Sequence, residues 1–402
     1  MPLPSTIYLD NNATTRPRPE VVEAMQRAFT ASYANPGSRH QEGRKARQAL
    51  ETARESIARI LNAQPGEVIF TSGGTEASNM AIFGLAGERT GTLVLPPGEH
   101  PATEESVRVL ERRGWQRLTL ELDGAGRLRP EQLESLPWDD ICLATALLAH
   151  NETGTIQDLA PLAETCRAHR VPLHVDAVQA VGKIDVDFRE LAASTLALGA
   201  HKFFGPRGIG ALLVRDGVQL ASTQYGGHQE AGRRPGTECV ALAVGMARAL
   251  ELWHAEREEL AARMTMLRDR LEAGLLATCE PAVVNGSREH RLPNTLSIAF
   301  PGCDGDALLV ALDLEGVCCS LGSTCASGSS EPAPILVAMG CSPEVVRSTL
   351  RFSLGRENTE DEIDEPHALN RRAPFTLVAS RPTRRRRSAH PSSYTDCGTN
   401  HG

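Results

Sequence analysis

Short apolar runs alternate with helix-length stretches through the first half of this chain, and that alternation limits its architecture more than any other feature. Val68-Ile69-Phe70, Thr92 to Leu95, Trp115 to Leu120, Ile141 to Ala149, Leu173 to Val175 and Ser194 to Leu198 each read as a strand. Helices are predicted between them, over Ala77 to Gly87, Pro101 to Arg113, Pro130 to Leu136 and Leu159 to Arg170. Strands and helices in turn imply a mostly parallel sheet with helices on both faces, because parallel neighbours need a long crossover. The expected fold class is α/β: a large domain with a three-layer, mostly parallel sheet, and a smaller α+β domain. Ligands of such sheets sit beyond the carboxyl ends of the strands. Glu99-His100, Asn151, Asp176 and Lys202 all follow predicted strands, so they converge on one edge.

The rest of the chain is arranged around that body. Ile7-Tyr8-Leu9 is a short strand, and Ser38 reads as the N-cap of a long helix from Arg39 to Leu61. A helical stretch from Cys239 to about Cys279 links the large domain to a second one. That second domain holds strands at Asn294 to Phe300, Val317 to Ser320 and Thr349 to Leu354, with helices over Asp304 to Leu314 and Pro334 to Met339. Residues 1–15 are expected to join the small domain, 16–257 to form the large one and 258–365 to complete the small one. Residues 366–402, rich in Arg, Ser and Pro, read as a disordered basic tail.

Composition removes several classes of function. The 402 residues are 41% hydrophobic with 35 Gly, an ordinary globular balance. Net charge is −8, and the tail has seven Arg against one Asp, so the body is more acidic still and nucleic acid is not the expected partner. No run of 18 apolar residues exists, and Met1-Pro2-Leu3-Pro4-Ser5-Thr6 lacks a secretory pattern, so no membrane association and a cytoplasmic location are expected. The ten cysteines form no CxxC pair and no zinc-type spacing, so no metal site is expected. Cys142, Cys166 and Cys239 read as small buried hydrophobes.

The chemistry centres on Lys202. It follows a buried strand in Leu198-Gly199-Ala200-His201-Lys202-Phe203-Phe204. An apolar pocket disfavours a charged lysine and leaves an amine suited to a Schiff base, whereas a solvent-facing turn lysine does nothing. Thr71-Ser72-Gly73-Gly74-Thr75-Glu76, between a strand and a helix, makes an anion site from unpaired N–H groups. Asp176 lies one helix-plus-strand unit before Lys202, and Gln179 one turn after Asp176. Pyridoxal 5'-phosphate uses this set: its aldehyde takes the lysine, its ring nitrogen a carboxylate, and its phosphate N–H and hydroxyl donors. Gln179 could hydrogen-bond the ring oxygen. Asp176 as a helix cap and His174 as a core histidine are the structural alternatives. A metal held by His174, Asp176 and His201 is the rival chemical reading, and it lacks a spaced ligand motif.

From about Ile7 to Glu365 the sequence resembles cysteine desulfurases of the class V aminotransferase, or fold-type I, superfamily, nearest the housekeeping and nitrogen-fixation type. The resemblance rests on motifs found in order: Tyr8 to Thr15, Asn35 to His40, Phe70 to Glu76, Glu99-His100, Asn151 to Gly154, His174 to Gln179, His201-Lys202 and Arg351 to Arg356. It implies that Lys202 carries the cofactor as an imine, Asp176 pairs with the pyridinium nitrogen, and His100 stacks on the ring and moves protons. Asn151 and Gln179 would contact the ring oxygen, with Gly74, Thr75 and His201 at the phosphate. A homodimer is implied, in which Thr237 reaches the phosphate site of the partner subunit. Arg351, with Asn35 nearby, would grip the carboxylate of L-cysteine. Cys325, in the small-residue loop Gly322 to Pro332, matches the nucleophile that takes sulfur as a persulfide and releases alanine. Cys318 and Cys319 read as core. An iron–sulfur scaffold or another sulfur acceptor is the implied protein partner. A selenocysteine lyase or another class V lyase or aminotransferase is the alternative, and a non-enzymatic sulfur carrier a remoter one. Two positions depart from the pattern: Gly199 stands where a serine usually serves the phosphate, and His150 where a second Asn is common.

Overall fold

The computed structural model describes residues 6–322 and 332–364. Cys325 with most of its loop, and the basic tail, lie outside the described residues. The chain opens with β1 (Ile7–Tyr8), α1 (Pro19–Ala31) and α2 (Gln41–Ile60). The cap of α2 corrects the expectation from sequence. His40, not Ser38, holds the N-cap position, its Nδ1 accepting from the Gly43 N–H at 3.2 Å. Ser38 lies instead across the first turn: a Cβ on Gly43 would stand 2.3 Å from the Ser38 carbonyl oxygen, so only glycine admits that crossing.

The large sheet follows: β2 (Val68–Thr71), α3 (Gly74–Ala86), β3 (Thr92–Leu95), α4 (Pro101–Arg112), β4 (Gln116–Thr119), β5 (Ile141–Leu147), α5 (Ala160–His169), β6 (Leu173–Asp176), β7 (Thr195–Gly199) and β8 (Gly210–Val214). Its seven strands lie in the order β2-β8-β7-β6-β5-β3-β4. All run parallel except β8, which is antiparallel to both its neighbours. The reversal follows from chain length, since the link from β7 to β8 has no helix long enough for a parallel crossover. Residues of β6, β7 and β8 are buried throughout, as expected of strands covered on both faces. The stretch predicted as a helix over Pro130 to Leu136 is a 3-10 turn, Pro130–Ser135.

A second core gathers Ile7 and Leu9 with residues from Met264 to Ile363. It is built on the antiparallel sheet β12-β13-β10-β9, formed by β9 (Val283–Asn285), β10 (Thr295–Ala299), β12 (Ser320–Leu321) and β13 (Thr349–Ser353). The predicted strand Val317 to Ser320 is divided: β11 (Val317–Cys318) pairs in parallel with β1, while Ser320 faces Arg351 of β13. The 39-residue helix α6 (Val240–Thr278) serves both cores, with Val240 to Trp253 in the first and Met264 to Leu275 in the second. At 1.5 Å per residue it runs roughly 58 Å. Cys239 is exposed at the N-cap of α6, outside either core, and Cys142 is only half-buried; both correct the reading as buried hydrophobes, which Cys166 meets. Cys319 is buried and Cys318 half-buried. No helix among the described residues is long and apolar enough to cross a membrane.

Candidate active site

The ends of β6 and β7 bring an acid and an amine together. Asp176, the last residue of β6, is buried, and its Oδ1 accepts from the Val178 N–H at 2.9 Å. Burial pushes its pKa up, while the positive charge on His100 and Lys202 pulls it back. Lys202 closes the single 3-10 turn after β7, and its Nζ donates to the carbonyls of Asn12 at 2.6 Å and Ala13 at 2.9 Å. Burial, reinforced by Arg351 and opposed by Asp176 and Asp10, brings this amine down to about 8. A free-base fraction is therefore present near neutral pH. His100 caps α4, its Nδ1 accepting from the Ala102 N–H at 3.1 Å. Burial lowers its pKa as well, with Asp176 opposing and Lys202 adding to the shift. The three groups stand within electrostatic reach of one another.

The anion site expected from sequence falls where β2 turns into α3. A Cβ on Gly74 would lie 2.5 Å from Cγ2 of Val178, so a glycine is needed to seat the helix N-terminus against the segment that follows Asp176. A Cβ on Gly199 would meet the Gly74 nitrogen at 3.5 Å and the His201 ring at 3.7 Å, ordinary contacts around a space a small side chain could enter. Thr75 is exposed in the first turn. Glu76 does not face that space as a free charge. Burial alone would raise it, but hydrogen bonds from Arg234 and Ser72 hold it at about 2. His201 packs its Nδ1 on the Thr14 hydroxyl at 3.2 Å, and burial with the Lys202 charge takes it down to about 4.

Arg351 of β13 forms the facing wall. Its Nη2 donates to Asp10 at 2.7 Å and its Nη1 to the Asn151 carbonyl at 3.1 Å, while its buried Nε has no hydrogen-bond partner among the described residues. Asp10 is itself held by the Ser320 hydroxyl at 2.8 Å. Glu152 nearby is driven up to about 7 by burial, Arg351 opposing. Gln179 donates from Nε2 to the Asn12 carbonyl at 2.9 Å, and its Oε1 accepts from Lys183.

Not every candidate gathers here. Asn35 is exposed, with its Oδ1 turned onto the Gly37 N–H at 2.8 Å, and no described hydrogen bond or ion pair joins it to Arg351. Thr237 is exposed on the loop whose Arg234 clasps Glu76. His174 is fully buried, held by the Thr195 hydroxyl at 2.9 Å and lowered to about 3 by burial, and no group of metal-ligating side chains occurs among the described residues. Asn12 and Lys183 were missed from sequence. Lys183 carried a signal, being a lysine one helical turn after Gln179 in an apolar run.

An amine and a buried carboxyl at the carboxyl edge of such a sheet are the working end of an α/β protein of the aminotransferase type. The chain belongs to the class-V aminotransferase family, which it matches over residues 7–365. It is 42% identical over 362 residues to a protein named cysteine desulfurase from Trichormus azollae, covering 90% of each chain. It is 41% identical over 364 residues to cysteine desulfurase IscS of Anaeromyxobacter dehalogenans, covering 89% of this chain and 90% of that one. Among solved structures, a NifS-like protein superposes with a TM-score of 0.86 at 35% identity, over 91% of this chain and 98% of that one. DndA from Streptomyces lividans gives 0.73 at 36% identity, over 86% and 99%.

Pyridoxal phosphate suits this edge chemically. The buried Asp176 carboxyl has no basic side chain hydrogen-bonded to it among the described residues, the Lys202 amine is depressed, and the space by Gly199 opens onto a helix N-terminus.

Proposed function

We propose that this chain is a pyridoxal-phosphate-dependent cysteine desulfurase, converting L-cysteine to L-alanine and passing the sulfur to a protein cysteine. One observation carries the proposal: the Lys202 amine, brought down to about 8, stands in reach of Asp176 and His100 with Arg351 facing them. Lys202 would hold the cofactor's aldehyde carbon and Asp176 its ring nitrogen. His100 would lie on the ring, Asn151 and Gln179 at its oxygen, and Gly74, Thr75 and His201 at the phosphate. Thr237 would serve the phosphate of the partner subunit in a homodimer. When bound, the cofactor supplies an electron sink that makes the substrate Cα–H acidic and the Cβ–S bond breakable.

Arg351 binds the substrate carboxylate through its guanidinium and orients Cα toward Lys202 and His100, with Asn35 closing over it. The Lys202 amine would take the Cα proton, and His100 would return one. The Cys325 thiolate attacks the substrate sulfur, so an S–S bond forms as the C–S bond breaks. The electron pair passes to Cβ, which takes a proton. Thiol and cysteine thus become persulfide and alanine with no outside oxidant. The persulfide then supplies sulfur to iron–sulfur clusters or thio-cofactors through an acceptor protein. Residues 16–257 would form the large domain, with 1–15 and 258–365 making the small one. Thiol chemistry of this kind fits the reducing cytoplasm.

Reconstitution with pyridoxal phosphate should give a visible absorbance band that Lys202→Ala loses. Exposure to L-cysteine should add one sulfur to Cys325 by mass, and Cys325→Ser should abolish sulfide release. A colourless wild type, or sulfide release untouched by Cys325→Ser, overturns the proposal.

A further inference from the structure

Lys183 is buried at 8% exposure, and nothing described so far uses it. Gly182, at φ +80°, makes the turn that directs it inward; a Cβ there would collide with Phe203. Burying an ammonium group costs several kcal/mol unless a charge and hydrogen bonds compensate it. No carboxylate pairs with Lys183 among the described residues, and the charges that act on it, Lys202 and Arg351, both repel. What it has are two amide oxygens: Asn12 Oδ1 at 2.7 Å and Gln179 Oε1 at shorter range. A lysine kept in so unfavourable a place is holding those two amides.

The two amides depend on it unequally. Asn12 is fixed without Lys183, since its Nδ2 donates to the Thr295 hydroxyl at 2.9 Å and the Asn151 carbonyl at 3.1 Å. Its N–H also donates to the Ser353 hydroxyl at 2.8 Å, and Asn294 reaches its Oδ1 at 3.2 Å. Among the described residues the Gln179 side chain makes two hydrogen bonds: Oε1 on Lys183, and one Nε2 hydrogen on the Asn12 carbonyl at 2.9 Å. That same carbonyl receives the Lys202 amine at 2.6 Å. With Oε1 clamped and one hydrogen committed, the second Nε2 hydrogen is left beside Lys202 as a donor of fixed direction.

We propose that Lys183 is a positioning residue that acts through Gln179, holding its amide so that one N–H points at the ring oxygen of the cofactor. The inference rests on the pyridoxal reading. Without Lys183, Oε1 is buried with no donor, and the side chain turns away to find one. Losing a donor to an oxygen that carries negative charge lets the chromophore keep its proton to higher pH.

The test is a pH titration of the visible absorbance of the holoprotein, without substrate. Lys183→Met should raise the midpoint by about one pH unit, the size of one lost hydrogen bond to a charged group. Gln179→Leu should raise it equally, and the double variant no further, because the lysine acts only through the glutamine. If Lys183→Met does not fold, Lys183→Gln, too short to reach Gln179, is read the same way. A coloured wild type whose midpoint is unmoved by the lysine change, or shifts that add in the double variant, overturns this inference alone. A wild type that takes up no colour overturns the pyridoxal reading and this inference with it.

Discussion

Gly199 stands where the resemblance to the cysteine desulfurases implies a serine, and its surroundings say what a side chain there would do. The backbone is extended, at φ −135° and ψ 123°, so any residue can adopt it. A Cβ would touch the Gly74 nitrogen at 3.5 Å and Val178 and His201 at 3.7 Å, which is contact without overlap. Gly199→Ser should therefore fold normally and add one hydroxyl donor at the N-terminus of α3. A hydrogen bond to a phosphate is worth about 1.5–3 kcal/mol, so the Kd for pyridoxal phosphate should fall about tenfold or more, measured by equilibrium dialysis. An unchanged Kd would show that the phosphate lies elsewhere. Arg351→Lys tests the facing wall: it keeps the charge but loses the planar donors. The expected loss is about 10–100-fold in kcat/KM for L-cysteine with the absorbance band intact; a band lost together with activity would instead mean a disturbed cofactor site. Lys202, Asp176 and His100 were legible in the sequence because each ends or follows a buried apolar run. Asn12 was not. Its partners Lys183 and Thr295 lie 171 and 283 residues away in sequence, and no local pattern encodes contacts between segments so far apart.

At the scale of elements, the fold was readable where periodicity decides and unreadable where packing does. The inner strands β3, β5, β6 and β7 are largely apolar runs and were found with shifted ends, while β8's reversed direction follows from a short link rather than from composition. The α2 cap and the division of the predicted strand at Val317 to Ser320 both turned on close contacts: Ser38 on Gly43, and two different strands competing for one run of chain. The seating of α3 is the element-scale contact on which the site depends. Gly74→Ala would place a methyl 2.5 Å from Val178, which costs about 1–3 kcal/mol as overpacking or pushes the helix N-terminus away from Asp176. The variant should melt lower and release pyridoxal phosphate faster in a dilution assay. Adding Val178→Ala should restore both. If the double variant still releases cofactor at the single variant's rate, the helix is not seated by this contact.

For the whole molecule, the buried titratable groups fix how stability responds to acid. His150 is kept neutral, its Nε2 donating to the Gly98 carbonyl at 2.8 Å and its Nδ1 accepting from the Glu152 N–H at 3.2 Å, and burial holds it at about 4. His174 is held at about 3. In the unfolded chain both return to about 6.5, so between that value and their folded values the unfolded state binds more protons and stability rises with pH. Glu152 works the other way. Burial lifts it to about 7 against 4.5 unfolded, so from 4.5 to 7 the folded state holds the extra proton and stability falls as pH rises. From pH 4.5 to 6.5 the three together leave up to one proton in favour of the unfolded chain, a slope of about 1.4 kcal/mol per pH unit. His150→Asn should reduce the slope in this window by nearly one proton, and Glu152→Gln should steepen it by about the same amount. Both are read from urea unfolding of the apoprotein at several pH values, where contributions from other groups cancel between variants. Parallel slopes in all three proteins would mean that neither group is held in its disfavoured protonation state.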